Sequence, residues 1–134
     1  MRTHLVILLY CLLTLSCNSD DDAAVVIEPT LDGQWSLTNI SGGLVGLDQD
    51  FEEGTIVWDF DTENEQVMIT NNSDSEMVYS GLNSGTYDYS VSSTETSTVI
   101  SVDFLNLEIM TLTANQLVLD DGIAFDGFLL TFMR

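Results

Sequence analysis

Residues 55–61 read Thr-Ile-Val-Trp-Asp-Phe-Asp, with an apolar side chain at every second position. Successive side chains of a β-strand point to opposite faces, so Ile56, Trp58 and Phe60 share one face. One apolar face per strand is typical of an antiparallel sheet that has water on its other side. The stretch therefore predicts a half-buried strand.

The same alternation recurs along the chain after Leu31. It predicts eight strands, at 34–40, 55–61, 66–71, 86–91, 98–104, 107–113, 116–119 and 128–133. Most connections are short, which favours an up-and-down meander of neighbouring antiparallel strands. Two longer segments, 41–54 and 72–85, are predicted to be loops. Residues 31–134 are thus expected to form one all-β domain.

Eight strands close into a barrel whose interior side chains can nearly fill. The alternation assigns several side chains to the apolar face, Val91 among them. The candidates for filling the interior are large and aromatic: Trp58, Phe60, Tyr87, Tyr89, Phe104, Phe128 and Phe132.

Residues 1–16 have the features of a signal peptide: Arg2 precedes an apolar run at 5–15. As a helix this run would span about 16 Å, too short for a bilayer core of about 30 Å. It ends in Leu15-Ser16-Cys17, which resembles the lipobox of bacterial lipoproteins, although Thr14 stands where that family usually has leucine. The resemblance implies that Cys17 is lipidated and that the protein is anchored to the outer membrane, at the cell surface or on the periplasmic face.

Residues 17–30 are predicted to be an acidic tether. Asp20, Asp21 and Asp22 repel one another and keep such a segment extended. The run resembles the signal that exports lipoproteins of Bacteroidota-type bacteria to the cell surface. A solvated spacer is the alternative interpretation.

The chain has 22 acidic residues against two bases, and its formal net charge is −20. Loss of a signal peptide would leave Arg134 as the only base and no histidine or lysine. This charge argues against nucleic acid as a partner. The usual general bases and activated nucleophiles are missing, so we expect a non-catalytic protein. We also expect a monomer. No disulfide is expected within it, because Cys11 would leave with the signal peptide and Cys17 would carry the lipid that the resemblance implies.

No cofactor is expected, with calcium as the one exception to consider. Oxygen ligands suit Ca²⁺, and the candidate ligands are Asp48, Asp50, Asp59 and Asp61. They do not follow the spacing of an EF-hand loop, and solvated acids are the alternative.

The stretch Leu31-Asp32-Gly33-Gln34-Trp35-Ser36-Leu37 resembles the start of lipocalin-like domains of small bacterial lipoproteins. Residues 112–119, followed by an apolar strand, resemble their closing hairpin. The resemblance implies an eight-stranded antiparallel barrel in which Gly33 and Trp35 lie at the closed end, under Arg134. A guanidinium over an indole would link the first and last strands. The alternative is a solvated arginine.

In lipocalins the first long loop folds over the open end of the barrel. The two long loops could present apolar side chains there, namely Leu44, Val45, Leu47, Met77 and Tyr79. This predicts a binder of a small apolar or amphipathic ligand at the barrel mouth. The alternative is a structural or interaction protein with a fully packed barrel that contacts another envelope component.

Overall fold

The computed structural model describes residues 29–74 and 82–134. Those residues contain nine strands and one short helix, listed here in chain order: β1 Gly33–Gly42, β2 Leu47–Asp50, β3 Ile56–Asp61, β4 Gln66–Asn71, β5 Gly85–Ser93, β6 Thr98–Val102, β7 Leu105–Leu112, β8 Gln116–Asp121, the 3₁₀ turn η1 Ile123–Phe125, and β9 Phe128–Met133. Within these two ranges there is no helix with the length and apolarity needed to span a membrane. The predicted signal peptide and Cys17 lie outside the described residues.

The strands form a closed eight-strand antiparallel barrel plus one outer strand, β2. From β3 to β9 each strand pairs with the next, and β3 pairs with β1. The barrel closes where β1 pairs with β9, from Ser36 opposite Met133 to Gly42 opposite Phe128. The predicted all-β up-and-down barrel is therefore confirmed.

Strand β2 lies in the segment that was predicted to be a long loop. It pairs with β1 at Asn39–Gly42, while β3 pairs with β1 at Gly33–Ser36. Since β9 occupies the other edge of β1, β2 and β3 lie end to end on one edge. If the β1–β3 register continued, Gly54 would lie opposite Asn39. Instead Asn39 pairs with Asp50, which lies four residues before Gly54 in the chain. The extra residues form an excursion between the two strands.

Strand β5 has a different neighbour for each half of its length, on opposite edges. Residues 85–88 pair with β4, and residues 89–93 pair with β6. Because β4 begins at Gln66, opposite Asp88, the second half of β5 extends beyond β4. Val91 lies on this overhang and is 50% exposed, so its predicted place on the buried face is wrong.

Phe104 is also not an interior residue. Strand β6 ends at Val102, and Asp103 and Phe104 form the tight turn to β7, with Asp103 at φ +52°. The turn directs Phe104 outward, where it is 70% exposed. The alternation continued through 98–104, but the chain reverses direction two residues before that segment ends.

The barrel interior is filled by side chains from all eight barrel strands. Trp58 contacts the rings of Phe60 and Phe132, with centroids 6.0 and 5.3 Å apart. Tyr89 meets Phe60 edge to face at 5.2 Å. Eight interior side chains have no accessible surface: Trp35, Val67, Ile100, Val102, Leu107, Leu117, Leu119 and Phe132.

Candidate functional site

The barrel has two ends that differ in chemistry. We call the end at which β1 begins the proximal end; it also carries the β3–β4, β5–β6 and β7–β8 turns. We call the other end the distal end; it carries the β1–β2 turn and the β4–β5, β6–β7 and β8–β9 connections. The described chain enters the barrel at the proximal end, just after Thr30.

At the proximal end the structure brings Gly33, Trp35 and Arg134 together. The Cζ atom of Arg134 lies 4.0 Å from the centre of the Trp35 ring. Gly33 has φ +94°, and a Cβ there would lie 4.0 Å from an Arg134 nitrogen. The Trp35 indole nitrogen donates to the Leu31 carbonyl at 2.8 Å. This is the arrangement that the resemblance implies.

The guanidinium of Arg134 also binds three backbone carbonyls. It donates to Ala114 at 2.7 Å, to Asp32 at 2.8 Å and to Thr30 at 3.2 Å. These carbonyls belong to the β7–β8 turn and to the segment that leads into β1. Arg134 therefore joins the beginning of the barrel to a turn next to its last strand.

The Asp32 carboxylate anchors the β3–β4 turn to the same region. It accepts hydrogen bonds from the Thr62 backbone nitrogen at 3.0 Å and from the Thr62 hydroxyl at 2.9 Å. These bonds hold the pKa of Asp32 below its usual value of 3.8. Within the turn, the side chain and backbone of Asn64 likewise lower the pKa of Asp61.

At the distal end, Leu44 and Val45 lie on the β1–β2 turn and are 86% and 82% exposed. Leu47, at the start of β2, is partly buried and packs against the core. Of the five predicted mouth residues, the structure thus places three in one hairpin, two of them in solvent. Met77 and Tyr79 lie outside the described residues.

The β8–β9 connection lies beside this turn. The Gly43 nitrogen donates to the Gly127 carbonyl at 2.8 Å, and a Cβ at Gly42 would meet the Ile123 side chain at 2.5 Å. The connection carries Phe125, which is 90% exposed. Sequence reasoning missed this residue; the run Gly-Ile-Ala-Phe-Asp-Gly at 122–127 shows apolar residues between two glycines, which is the available signal of an exposed turn.

Phe125 also borders a cavity of about 310 Å³ on the outside of the barrel. Its floor is formed by outward-facing residues of β6, β7 and β8, and its wall by the β8–β9 connection. We call it the distal groove, and its lining residues are Val99, Asn106, Glu108, Asp120, Gly122, Ala124 and Phe125. Glu108 and Asp120 are direct cross-strand partners in it.

The candidate calcium ligands are divided between two places. Asp48 and Asp50 on β2 both accept hydrogen bonds from the Asn39 amide, at 2.8 and 2.9 Å. Asp59 and Asp61 border an open cavity of about 360 Å³ on the outer face of β3–β5. Across residues 29–74 and 82–134, no three carboxylate, histidine or cysteine side chains are grouped so that they could hold a metal ion.

Comparison with known proteins identifies the family. The model of the lipocalin-like domain family matches residues 31–119, which is most of the barrel. The chain therefore belongs to the lipocalin-like domain family. The crystal structure of a lipocalin-like protein from Bacteroides uniformis is similar, with 14% sequence identity and a TM-score of 0.49, over 78% of this chain and 97% of that one. Among curated proteins, none matches this chain.

Proposed function

We propose that this chain is a non-catalytic binding protein, held at the outer membrane by a lipid on Cys17, that acts through the outside of its barrel. One observation carries the proposal: the interior is full. A side chain with no accessible surface borders no space that admits a water molecule, and Trp35, Leu107 and Phe132 are among eight interior residues at 0%. A cavity for a small ligand is commonly about 300–1,000 Å³ and concave. In this barrel, packed side chains take that volume.

A second candidate function is the binding of a small apolar or amphipathic ligand at the distal mouth. Leu44 and Val45 favour it, because both are more than 80% exposed at the end where lipocalins bind their ligands. Such a ligand would rest on the β1–β2 turn, above the filled interior. It would bury little surface, so we expect weaker binding than in an open barrel.

Native mass spectrometry of the full chain from its own membrane separates the two functions. The proposed function requires a protein mass that carries the lipid anchor and nothing else. A discrete added organic mass that survives purification would overturn it and establish the second candidate. A preparation expressed without the signal peptide provides the control, because it lacks the lipid modification.

The anchor has its own test. Replacing Cys17→Ser removes the thiol that would be acylated, so the variant is expected to leave the membrane fraction and to lack the acyl mass. Cys11→Ser is the matched control, since Cys11 lies in the predicted signal peptide. Equal membrane partition of both variants would show that the lipid is not on Cys17.

A further inference from the structure

The distal groove combines apolar and acidic surface on the outside of the barrel. Phe125, 90% exposed, forms its rim, and Val99 and Ala124 belong to its lining. Leu44 and Val45 are exposed on the β1–β2 turn, which is hydrogen-bonded to the β8–β9 connection through Gly43 and Gly127. Large apolar side chains exposed at one end of a domain mark interaction surfaces.

Two carboxylates belong to this groove, and one oxygen of Asp120 accepts a hydrogen bond from the Ile123 backbone nitrogen at 2.6 Å. Glu108 and Asp120 are direct partners in the β7–β8 ladder, and like charges at such positions repel. The sequence contains only two bases, Arg2 and Arg134, and Arg134 is bound at the proximal end. The described chain therefore brings no cation to this pair.

We propose that the distal groove binds a basic, amphipathic segment of another envelope protein. An arginine or lysine of that segment lies between Glu108 and Asp120, and the flanking apolar side chains pack on Phe125, Leu44 and Val45. A guanidinium suits the site because it can bind carboxylates with two parallel hydrogen bonds and can stack on an aromatic ring. This inference rests on the proposed function, since it requires the outer surface to be the working surface.

Charge favours a cationic protein segment over an anionic lipid or a nucleic acid as the partner. The chain has a formal net charge of −20, which repels anionic lipid and nucleic acid and attracts a cationic protein segment. The groove also lies at the distal end, whereas the described chain enters at the proximal end. A partner can thus occupy the groove without covering the point at which the described chain enters the barrel.

The test is calorimetric titration of the full chain, purified in an uncharged detergent, with a short blocked peptide of alternating leucine and arginine. Empty micelles serve as the blank, and a peptide of alternating leucine and glutamate as the control ligand. We expect the basic peptide to bind, the acidic peptide not to bind, and added salt to weaken binding. We expect Glu108→Gln and Phe125→Ser each to weaken it by about tenfold, which is typical of loss of one partner at a charged or aromatic contact.

The matched controls are Glu95→Gln, which removes the same charge from the β5–β6 turn, and Phe104→Ser, which removes another exposed ring. Both should leave binding within about twofold of the original, below the effect of one lost contact. Loss of binding in all four variants alike, or no binding of the basic peptide, would overturn the inference. Thermal melts of each variant exclude unfolding as the cause. If the basic peptide does not bind but native mass spectrometry shows the protein without an organic adduct, this inference fails and the proposed function stands. An organic adduct in native mass spectrometry contradicts the proposed function itself.

Discussion

Arg134 covers the inward-facing indole of Trp35, with 4.0 Å between Cζ and the ring centre. Trp35 lies in the first strand and Arg134 follows the last, so one contact spans the closure of the barrel. The contact is enforced by the three backbone carbonyls that hold the guanidinium in place.

Arg134→Ala is expected to lower the free energy of unfolding by about 1–3 kcal/mol, because both the cation–π contact and charged hydrogen bonds are lost. Arg134→Lys keeps the charge but lacks the planar guanidinium that binds the three carbonyls. Its free energy of unfolding should therefore lie between those of the original protein and the alanine variant. Urea denaturation followed by tryptophan fluorescence measures both. Equal stability of the alanine variant and the original would contradict a closing role for Arg134.

Asp32→Asn tests the link between the β1 entrance and the β3–β4 turn. The pKa of Asp32 is lowered in the folded state. Its ionised carboxylate therefore stabilises the fold at pH values above the usual pKa of 3.8. That contribution is lost as the pH falls through the lowered pKa. We therefore expect the variant to melt at a lower temperature at pH 7 and the difference to vanish in acid. Asp126→Asn removes the same charge from the β8–β9 connection and controls for the change in net charge.

Glu108→Gln should stabilise the barrel by about 0.2–1 kcal/mol, since it removes repulsion from Asp120 across the ladder. The gain should shrink in high salt because ions screen the two charges. Glu95→Gln is the comparison at equal charge, and thermal melts at two salt concentrations give the readout. If both variants stabilise equally, general charge reduction is the cause. A gain specific to Glu108 would mean that the chain retains a destabilising pair at its proposed binding groove.

Gly42→Ala, at the end of β1, and Gly46→Ala, on the β1–β2 turn, form a matched pair. Both glycines have positive φ, at +125° and +65°, so alanine is strained at each by about 1–3 kcal/mol. A Cβ at Gly42 would also lie 2.5 Å from the Gly127 oxygen, whereas nothing lies within 4 Å of one at Gly46. We expect Gly42→Ala to be the more destabilising in denaturant titrations. The reverse order would mean that the two distal connections do not pack as described.

Calcium binding stays a prediction from the sequence. With no group of three ligands among residues 29–74 and 82–134, we expect equal concentrations of CaCl₂ and MgCl₂ to raise the melting temperature equally, by screening. A larger, saturable rise with Ca²⁺ alone would establish a calcium site. Asp48→Asn and Asp59→Asn would then show which pair provides it.

Alternation predicted those strands that have one buried and one wet face. Residues 66–71 and 128–133 agree in full with β4 and β9. Val67 and Ile69 alternate in the first stretch, and Phe128, Leu130 and Phe132 alternate in the second. Strand β2 was missed because Leu47-Asp48-Gln49-Asp50 has one apolar residue, and its position depends on Asn39 and the β1 ladder. Backbone pairing of that kind leaves no period in the sequence.

The proximal contact could be anticipated, since the chain after the predicted signal peptide offers one cation and the motif around Gly33 and Trp35 indicates where that cation lies. The distal groove could not. Val99, Glu108 and Asp120 become neighbours only through the registers of three strands. The exposure of Phe125 could not be predicted from hydrophobic periodicity, because a short turn between two glycines has none.

The joining of β1 to β9 has a kinetic consequence. The Arg134 bond to Asp32 spans 102 positions, and a β1–β9 contact from Thr38 to Thr131 spans 93. Contacts of such high sequence separation form late, so barrels of this topology fold in about milliseconds to seconds. A ribosome that still holds β9 keeps the barrel open, so closure of the barrel is delayed until that strand has emerged.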